Sequence, residues 1–336
     1  MRITNNTGNL PILIRRLWRH ITQYRKYQFV CLLGLMFVSA FTEVISLGAV
    51  IPFIGILVAP VKVFEYPIIQ DMSYFLGINS PEQLVLPLTV TFAVAALVAG
   101  IMRTILLWAS TRLSYVNGSD LSVEVYRRSL YQPYEVHVAR NSSEVLSAMT
   151  DKANSVVGSV LLQLITLISS TVMLIAITFG LFAINPQVAL ISIIGFGVSY
   201  GLIIYLARKR LQHNGQRISE EQTQVVKVIQ EGLGGIRDIL LDGTQQVFCD
   251  IYRKSDQALR RAQGDTVFMS GSPRYAMEAI GIVLITILAY SLNQEVGGIA
   301  AALPILGALA FAAQRLLPAL QNIFNAWASI VASQGA

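Results

Sequence analysis

The sequence is poor in charge and in cysteine, and these shortages exclude several classes of protein. Only 13% of the 336 residues are charged, whereas a soluble globular chain carries about a quarter. With 54% hydrophobic residues and a mean hydropathy of +0.58, too little polar surface remains for a folded domain in water. The two cysteines, Cys31 and Cys249, provide no disulfide framework. A soluble enzyme, a secreted disulfide-rich module and a disordered tail are excluded, and a membrane protein is indicated.

Motifs for catalysis and for metal binding are also missing from the sequence. No Gly-x-x-x-x-Gly-Lys-Ser/Thr phosphate loop occurs, and Gly232-Leu233-Gly234-Gly235 lacks the lysine and the preceding strand that such a loop needs. The three histidines, His20, His137 and His213, are scattered and have no second ligand at metal-binding spacing. We therefore expect no catalytic residue, metal site or cofactor in this segment.

Six apolar runs are long enough to cross a bilayer, which requires about 20 residues. They pair as hairpins, since only short polar turns separate the third run from the fourth and the fifth from the sixth. The runs are Phe29–Val58, Leu84–Ala109, Val156–Ala183, Val188–Leu206, Val267–Leu292 and Ile299–Leu320. The sequence therefore predicts an all-α membrane protein with six transmembrane helices.

The distribution of lysine and arginine predicts the orientation of these spans. Six basic residues precede the first span, five lie in 110–155 and ten lie in 207–266. The three loops on the opposite side of the membrane contain one basic residue, Lys62. Because basic residues concentrate on the cytoplasmic side, we expect both termini and both long loops to be cytoplasmic. The pI near 9.4 then arises from basic residues at the membrane surface and does not indicate a nucleic-acid partner.

Helical periodicity extends into the segments outside the spans. Leu10–Tyr27 has apolar residues at helical spacing, which predicts an amphipathic helix on the inner leaflet. The segments 110–155 and 207–266 each read as two helices that continue the spans into the cytoplasm. Their reversals are predicted near Tyr131–Ser143 and near Gly232–Gly235. A pair of plain solvated loops is the alternative, although their symmetric placement favours a docking role.

Ionisable residues inside spans are costly and are candidates for function. Arg103, Arg274 and Arg315 all fall roughly 8–11 Å inside the inner boundary at about 1.5 Å per residue. Three arginines at one depth predict a cationic belt for an anionic group such as a phosphate, which a guanidinium binds through two hydrogen bonds. The alternatives are arginines that extend to the interface, and a simple pair between Arg274 and Glu278, four residues apart.

Glu43, near the middle of the first span, is a further candidate. A carboxylate at that depth must be protonated, paired or hydrated. Two interpretations stay open from the residues: Glu43 lines a substrate path, or it pairs with an arginine. The predicted substrate path therefore contains five residues: Glu43, Arg103, Arg274, Glu278 and Arg315.

Five segments resemble one family of transporters. They are Glu43–Phe53, Arg140–Leu146, Glu231–Ile239, Ser272–Glu278, and Leu303–Leu306 together with Arg315–Pro318. With the six-span layout, they resemble the transmembrane domain of an ATP-binding-cassette exporter, and within that family the bacterial lipid-linked oligosaccharide flippases and polysaccharide exporters. The resemblance covers essentially the whole chain. It divides the chain into an N-terminal elbow region (1–28), a six-helix transmembrane domain (29–330) and the start of a linker (331–336).

The resemblance also implies partners. Tyr134–Ser143 and Glu231–Asp242 would hold the coupling helices that dock on a nucleotide-binding domain. The implied coupling residues are Tyr134, Arg140, Asn141, Ser143, Glu231, Gly235, Arg237 and Asp238. A second transmembrane domain, membrane lipid, and ATP with Mg²⁺ on the nucleotide-binding domain complete the implied set. Because no such domain occurs before Ala336, we expect it on a further part of the chain or, less in keeping with the family, on a separate polypeptide.

The expected function follows from that resemblance and from the arginines. It is ATP-driven export of a lipid-linked saccharide or a similar amphipathic anion across the bacterial inner membrane by alternating access. A peptide or hydrophobic-drug cargo is the alternative within the same architecture. A channel or regulatory membrane protein without nucleotide coupling is the alternative of another class. No ATPase activity can be assigned to residues of this segment.

Overall fold

The computed structural model describes residues 23–58, 60, 64, 80–139, 156–184, 186–293 and 298–333, and these residues are helical apart from short turns. The apolar runs dictate this outcome, because a helix satisfies its own backbone hydrogen bonds where lipid offers none. The principal helices are α1 (Gln23–Val58), α2 (Val85–Leu130), α3 (Tyr134–Ala139), α4 (Leu162–Ile184), α5 (Pro186–Gly234), α6 (Ile236–Asp242), α7 (Gln245–Asn293) and α8 (Gly298–Ser333). A 3₁₀ turn (Pro81–Leu84) precedes α2, and a π-helical turn (Val156–Leu161) precedes α4.

Four helical stretches are long and apolar enough to cross a membrane: Gln23–Val58, Glu82–Leu130, Val157–Ile184 and Ala189–Gly234. They correspond to the first four predicted spans. In the most apolar 18-residue stretch of each, between 17% and 33% of the residues are buried. Most of that apolar surface therefore faces outward. The predicted fifth and sixth spans lie in α7 and α8. Because side chains 291–305 fall outside the described residues, the count of six spans stays a prediction.

The helices continue well beyond the predicted spans. α2 has 46 residues, and α5 and α7 have 49 each. At 1.5 Å per residue, a 49-residue helix is about 74 Å long, more than twice the roughly 30 Å hydrocarbon core. The first of the two helices predicted in 110–155 is therefore present in α2, and both of those predicted in 207–266 are present in α5 and α7. The second helix predicted in 110–155 falls on 140–155, outside the described residues. Most of the predicted elbow helix, Leu10–Tyr27, lies outside the described residues.

Packing centres on α8. This helix contacts α1, α4, α5 and α7, and further close pairs are α1 with α2, α1 with α4, and α5 with α7. One apolar core joins Leu47 of α1 and Ile177 of α4 to Leu316 of α8. A second core joins Leu211 of α5 and Met277 of α7 to the C-terminal part of α8. The fold thus places α8 between two helix groups.

Glycine allows α5 and α8 to approach closely. A Cβ atom built on Gly215 would meet the backbone carbonyl of Ala332, a neighbour that cannot rotate away. Gly307 of α8 has a similar contact with the Cδ1 atom of Ile54 on α1, although that end of the side chain can move. These close approaches hold α8 against both helix groups.

Candidate functional site

Glu43 lies on the face of α1 that turns toward the other helices. Its neighbours at helical spacing, Ser39, Ala40, Ser46, Leu47 and Val50, are buried with it. Only 1% of the Glu43 side chain is exposed, so the carboxylate is cut off from bulk solvent. A charge in that position needs a partner, and two are present.

Arg103 and Arg315 converge on a single oxygen atom of Glu43. The Nε atom of Arg103, on α2, lies 2.7 Å from Glu43 Oε1, and the Nη1 atom of Arg315, on α8, lies 2.9 Å from the same atom. The Arg315 contact is a charge-assisted hydrogen bond, and the Arg103 contact is an ion pair. These residues, hereafter the Glu43 triad, connect three helices that are distant in sequence.

The two arginines differ in exposure. The Arg315 side chain is 12% exposed, and its guanidinium carbon lies 5.1 Å from the ring centroid of Phe311, one turn earlier on α8. The Arg103 side chain is 42% exposed. Arg315 is therefore the more enclosed of the two arginines, and Arg103 is the one with a surface open to other groups.

The Glu43 triad carries an excess of positive charge. One carboxylate faces two guanidinium groups, which leaves a formal charge of +1 when all three are ionised. Glu43 Oε2 and the hydroxyl of Ser46 are both buried and have no hydrogen-bond partner among the described residues. The site can therefore attract an anion and can accept further hydrogen bonds.

Arg274 and Glu278 form a separate pair on α7. The Nε atom of Arg274 lies 2.9 Å from Glu278 Oε1, the contact that their four-residue spacing predicts. Both side chains are exposed, and no ion pair joins them to Glu43 in the part of the chain that the structure describes. Of the three arginines of the predicted belt, the geometry brings two together on Glu43 and leaves the third with its own carboxylate.

The second predicted reversal is a short helix between two long ones. α5 ends at Gly234, and the amide of Gly235 donates to the carbonyl of Glu231 over 3.0 Å before α6 begins. α6 ends at Asp242 and is followed by Gly243, whose φ of 65° lies in the left-handed region that glycine adopts at helix ends. The reversal predicted from the glycines at 232–235 is therefore present.

The surface of α6 is apolar where a solvated loop would be polar. Leu240 and Leu241 are 60% and 74% exposed, next to the predicted coupling residues Arg237 and Asp238. A groove of about 760 Å³ lined by Val228, Leu233 and Phe248 adjoins it. An exposed apolar patch of this kind marks an interaction surface.

The first reversal is described in part. α2 ends at Leu130, and a turn through Pro133 leads to α3, which starts at the exposed residue Tyr134. The other predicted coupling residues of this reversal, Arg140, Asn141 and Ser143, lie outside the described residues.

Three features of these sites were missed in the sequence. The arginine partners of Glu43 could not be identified, although its need for a partner could. Phe311 is one turn from Arg315, a spacing that would have indicated the ring contact. Nothing in the sequence indicated that Leu240 and Leu241 are exposed, because apolar residues in a short helix are usually buried.

The geometry contains a charged site within a helical bundle and no group of histidine, cysteine and carboxylate residues suited to a metal ion among the described residues. The class that these features define is a multi-pass helical membrane protein. Residues 68–294, about two thirds of the chain, match the family model of the ABC transporter transmembrane region. The chain belongs to that family and is the transmembrane domain of an ABC transporter.

Proposed function

We propose that this domain carries an amphipathic, anionic substrate of the lipid-linked saccharide class out of the bacterial cytoplasm across the inner membrane. The observation that carries the proposal is the Glu43 triad. An excess positive charge within a membrane-spanning bundle attracts a phosphate or diphosphate group, and the half-exposed Arg103 would receive it in exchange for Glu43.

The mechanism that we propose is alternating access. The anionic group displaces Glu43 from Arg103, while Arg315 remains held by Phe311 and by Glu43. Binding thus breaks the ion pair between Glu43 and Arg103, which is one of the contacts that join α1 to α2. A substrate that favours one arrangement and ATP that favours another can then drive a cycle.

ATP and Mg²⁺ act on a nucleotide-binding domain, which the proposal places on α3 and α6. The exposed leucines of α6 would supply the apolar contact, next to the predicted coupling residues Glu231, Gly235, Arg237 and Asp238. The exposed Tyr134 would contribute from α3. A second transmembrane domain would complete the path, with both termini of each chain in the cytoplasm. Residues 29–330 would form the six-helix unit.

The test compares charge removal with charge retention at the arginines. The transporter, reconstituted with its nucleotide-binding domain, receives a polyprenyl-diphosphate sugar, and substrate-stimulated ATPase activity is followed with transport. Arg103→Gln and Arg315→Gln are expected to raise the half-stimulating concentration at least tenfold, and Arg103→Lys about threefold. Arg112→Gln, an exposed position farther along α2, is the matched control.

The proposal for the arginines is refuted if Arg103, Arg274 and Arg315 all tolerate glutamine with full transport. A result in which Arg274→Gln alone is harmless would restrict the anion site to the Glu43 triad.

A hydrophobic cargo is the second candidate, because one cavity supports it. A space of about 450 Å³ between α4, α5 and α8 is lined by apolar side chains such as Phe179, Ile193 and Leu320. It would hold a drug-sized apolar molecule, or the lipid tail of the first candidate. Stimulation of ATPase activity by an uncharged apolar compound, with no need for phosphate, would favour the drug exporter.

A further inference from the structure

A second cavity, of about 310 Å³, lies between α5, α7 and α8 and has a different lining from the apolar one. The polar side chains around it come from all three helices: Tyr200, Ser270, Arg274, Gln321, Asn322 and Asn325. Its volume is at the lower end of the range for small-ligand sites.

The position of the cavity along the helices corresponds to the inner leaflet. Arg274 lies seven residues after the predicted cytoplasmic start of the fifth span, and Gln321 follows Leu320, the predicted end of the sixth. Polar headgroups of lipids occupy this depth. A lipid-linked substrate that enters from the inner leaflet would present its head here.

The charges at the cavity favour a neutral ligand. Arg274 is already compensated by Glu278 at 2.9 Å, so the remaining polar groups are amides and hydroxyls. An amide offers both donors and an acceptor, as a polyhydroxylated ligand requires, whereas an isolated phosphate would use only the donors.

Tyr200 provides independent evidence for a ligand. The residue is 5% exposed and lines the cavity, and its buried hydroxyl has no hydrogen-bond partner among the described residues. A buried hydroxyl without a partner costs free energy. A hydroxyl-rich ligand would supply the missing hydrogen bond.

The cavity and the Glu43 triad share one face of α8. Arg315 and Asn322 are seven residues apart, which is two turns on the same helical stripe and about 10 Å along the axis. We infer that the cavity binds the sugar head of the substrate while Arg315 and Arg103 hold its phosphate. This inference rests on the proposed function and adds a subsite for a neutral, polyhydroxylated group.

The experiment uses two probes with the same tail. Equilibrium binding of radiolabelled decyl β-glucoside and of decyl phosphate is measured on the nucleotide-free transporter in phosphatidylcholine nanodiscs. Tyr200→Phe and Asn322→Leu are each expected to weaken glucoside binding about tenfold and to change phosphate binding less than twofold. Arg315→Gln is expected to weaken phosphate binding about tenfold and to change glucoside binding less than twofold. Gln224→Leu, which removes an exposed amide on α5 away from the cavity, is the control.

Each outcome separates the two ideas. Glucoside binding that is not saturable, or that is equal in the wild type and in both cavity variants, overturns the sugar subsite. Phosphate binding that ignores Arg103 and Arg315, with glucoside binding still dependent on Asn322, overturns the anion site and leaves the subsite standing. If Asn322→Leu fails to fold, Tyr200→Phe decides, because the lost hydroxyl has no hydrogen bond to give up in the described fold.

Discussion

Removal of the negative charge at Glu43 is the sharpest test of the triad. Glu43→Gln leaves the guanidinium groups of Arg103 and Arg315 near the same point, where one oxygen now holds both at 2.7 and 2.9 Å. Two unit charges about 5 Å apart repel by roughly 3 kcal/mol at an effective dielectric constant of about 20. Breaking a buried ion pair from one side costs about 3–5 kcal/mol.

We expect a loss of about 3 kcal/mol in the free energy of unfolding, at the lower end of that range. Arg103 is 42% exposed and can turn toward water, which relieves part of the repulsion. The measurement is reversible unfolding in mixed micelles, with the midpoint and slope fitted for each variant.

The double variant Glu43→Gln/Arg103→Gln separates charge repulsion from loss of packing. Because it removes one of the two cations, it is expected to recover about 1–2 kcal/mol relative to Glu43→Gln alone. Binding of decyl phosphate should also tighten in Glu43→Gln, since no carboxylate competes for the arginines. A double variant less stable than Glu43→Gln, together with unchanged phosphate binding, would refute the account of the triad as a charge-compensated anion site.

Three further substitutions test the surrounding fold. Gly215→Ala is expected to destabilise the protein by about 1–3 kcal/mol, since the new methyl group meets the carbonyl of Ala332; Gly197→Ala, at an open position, is the control in the same thermal unfolding assay. Leu241→Glu on α6 is expected to abolish substrate-stimulated ATPase activity without a change in unfolding temperature, and retained stimulation would contradict the docking role. Gly243→Ala places an alanine in left-handed backbone at a cost of about 1–2 kcal/mol. Amide hydrogen exchange is expected to show faster opening of α6, and unchanged exchange rates would argue against that strain.

The sequence could predict positions along the helices but not rotations around them. Apolar length and the glycines at 232–235 were sufficient for α1, the long helices and the reversal before α6. Counting residues from the ends of the predicted spans placed Arg103, Arg274 and Arg315 at the same depth in the membrane. Such a count does not indicate which face of its helix each residue occupies. Convergence of two of them on Glu43 depends on how α2 and α8 both pack against α1. That arrangement arises from tertiary contacts, which periodicity within a single helix does not encode.

The continuous length of α5 gives it the properties of a lever. Its 49 residues run without a break from Pro186, just before the predicted fourth span, to Gly234 beside α6. If the helix pivots at the membrane boundary, an arm of about 40 Å converts a 10° tilt into a displacement of about 7 Å at α6. Groups near the pivot move far less. A force applied to α5 near Gly234 would therefore produce a smaller displacement and a larger force at the membrane, which suits the separation of short ionic contacts such as those of Glu43.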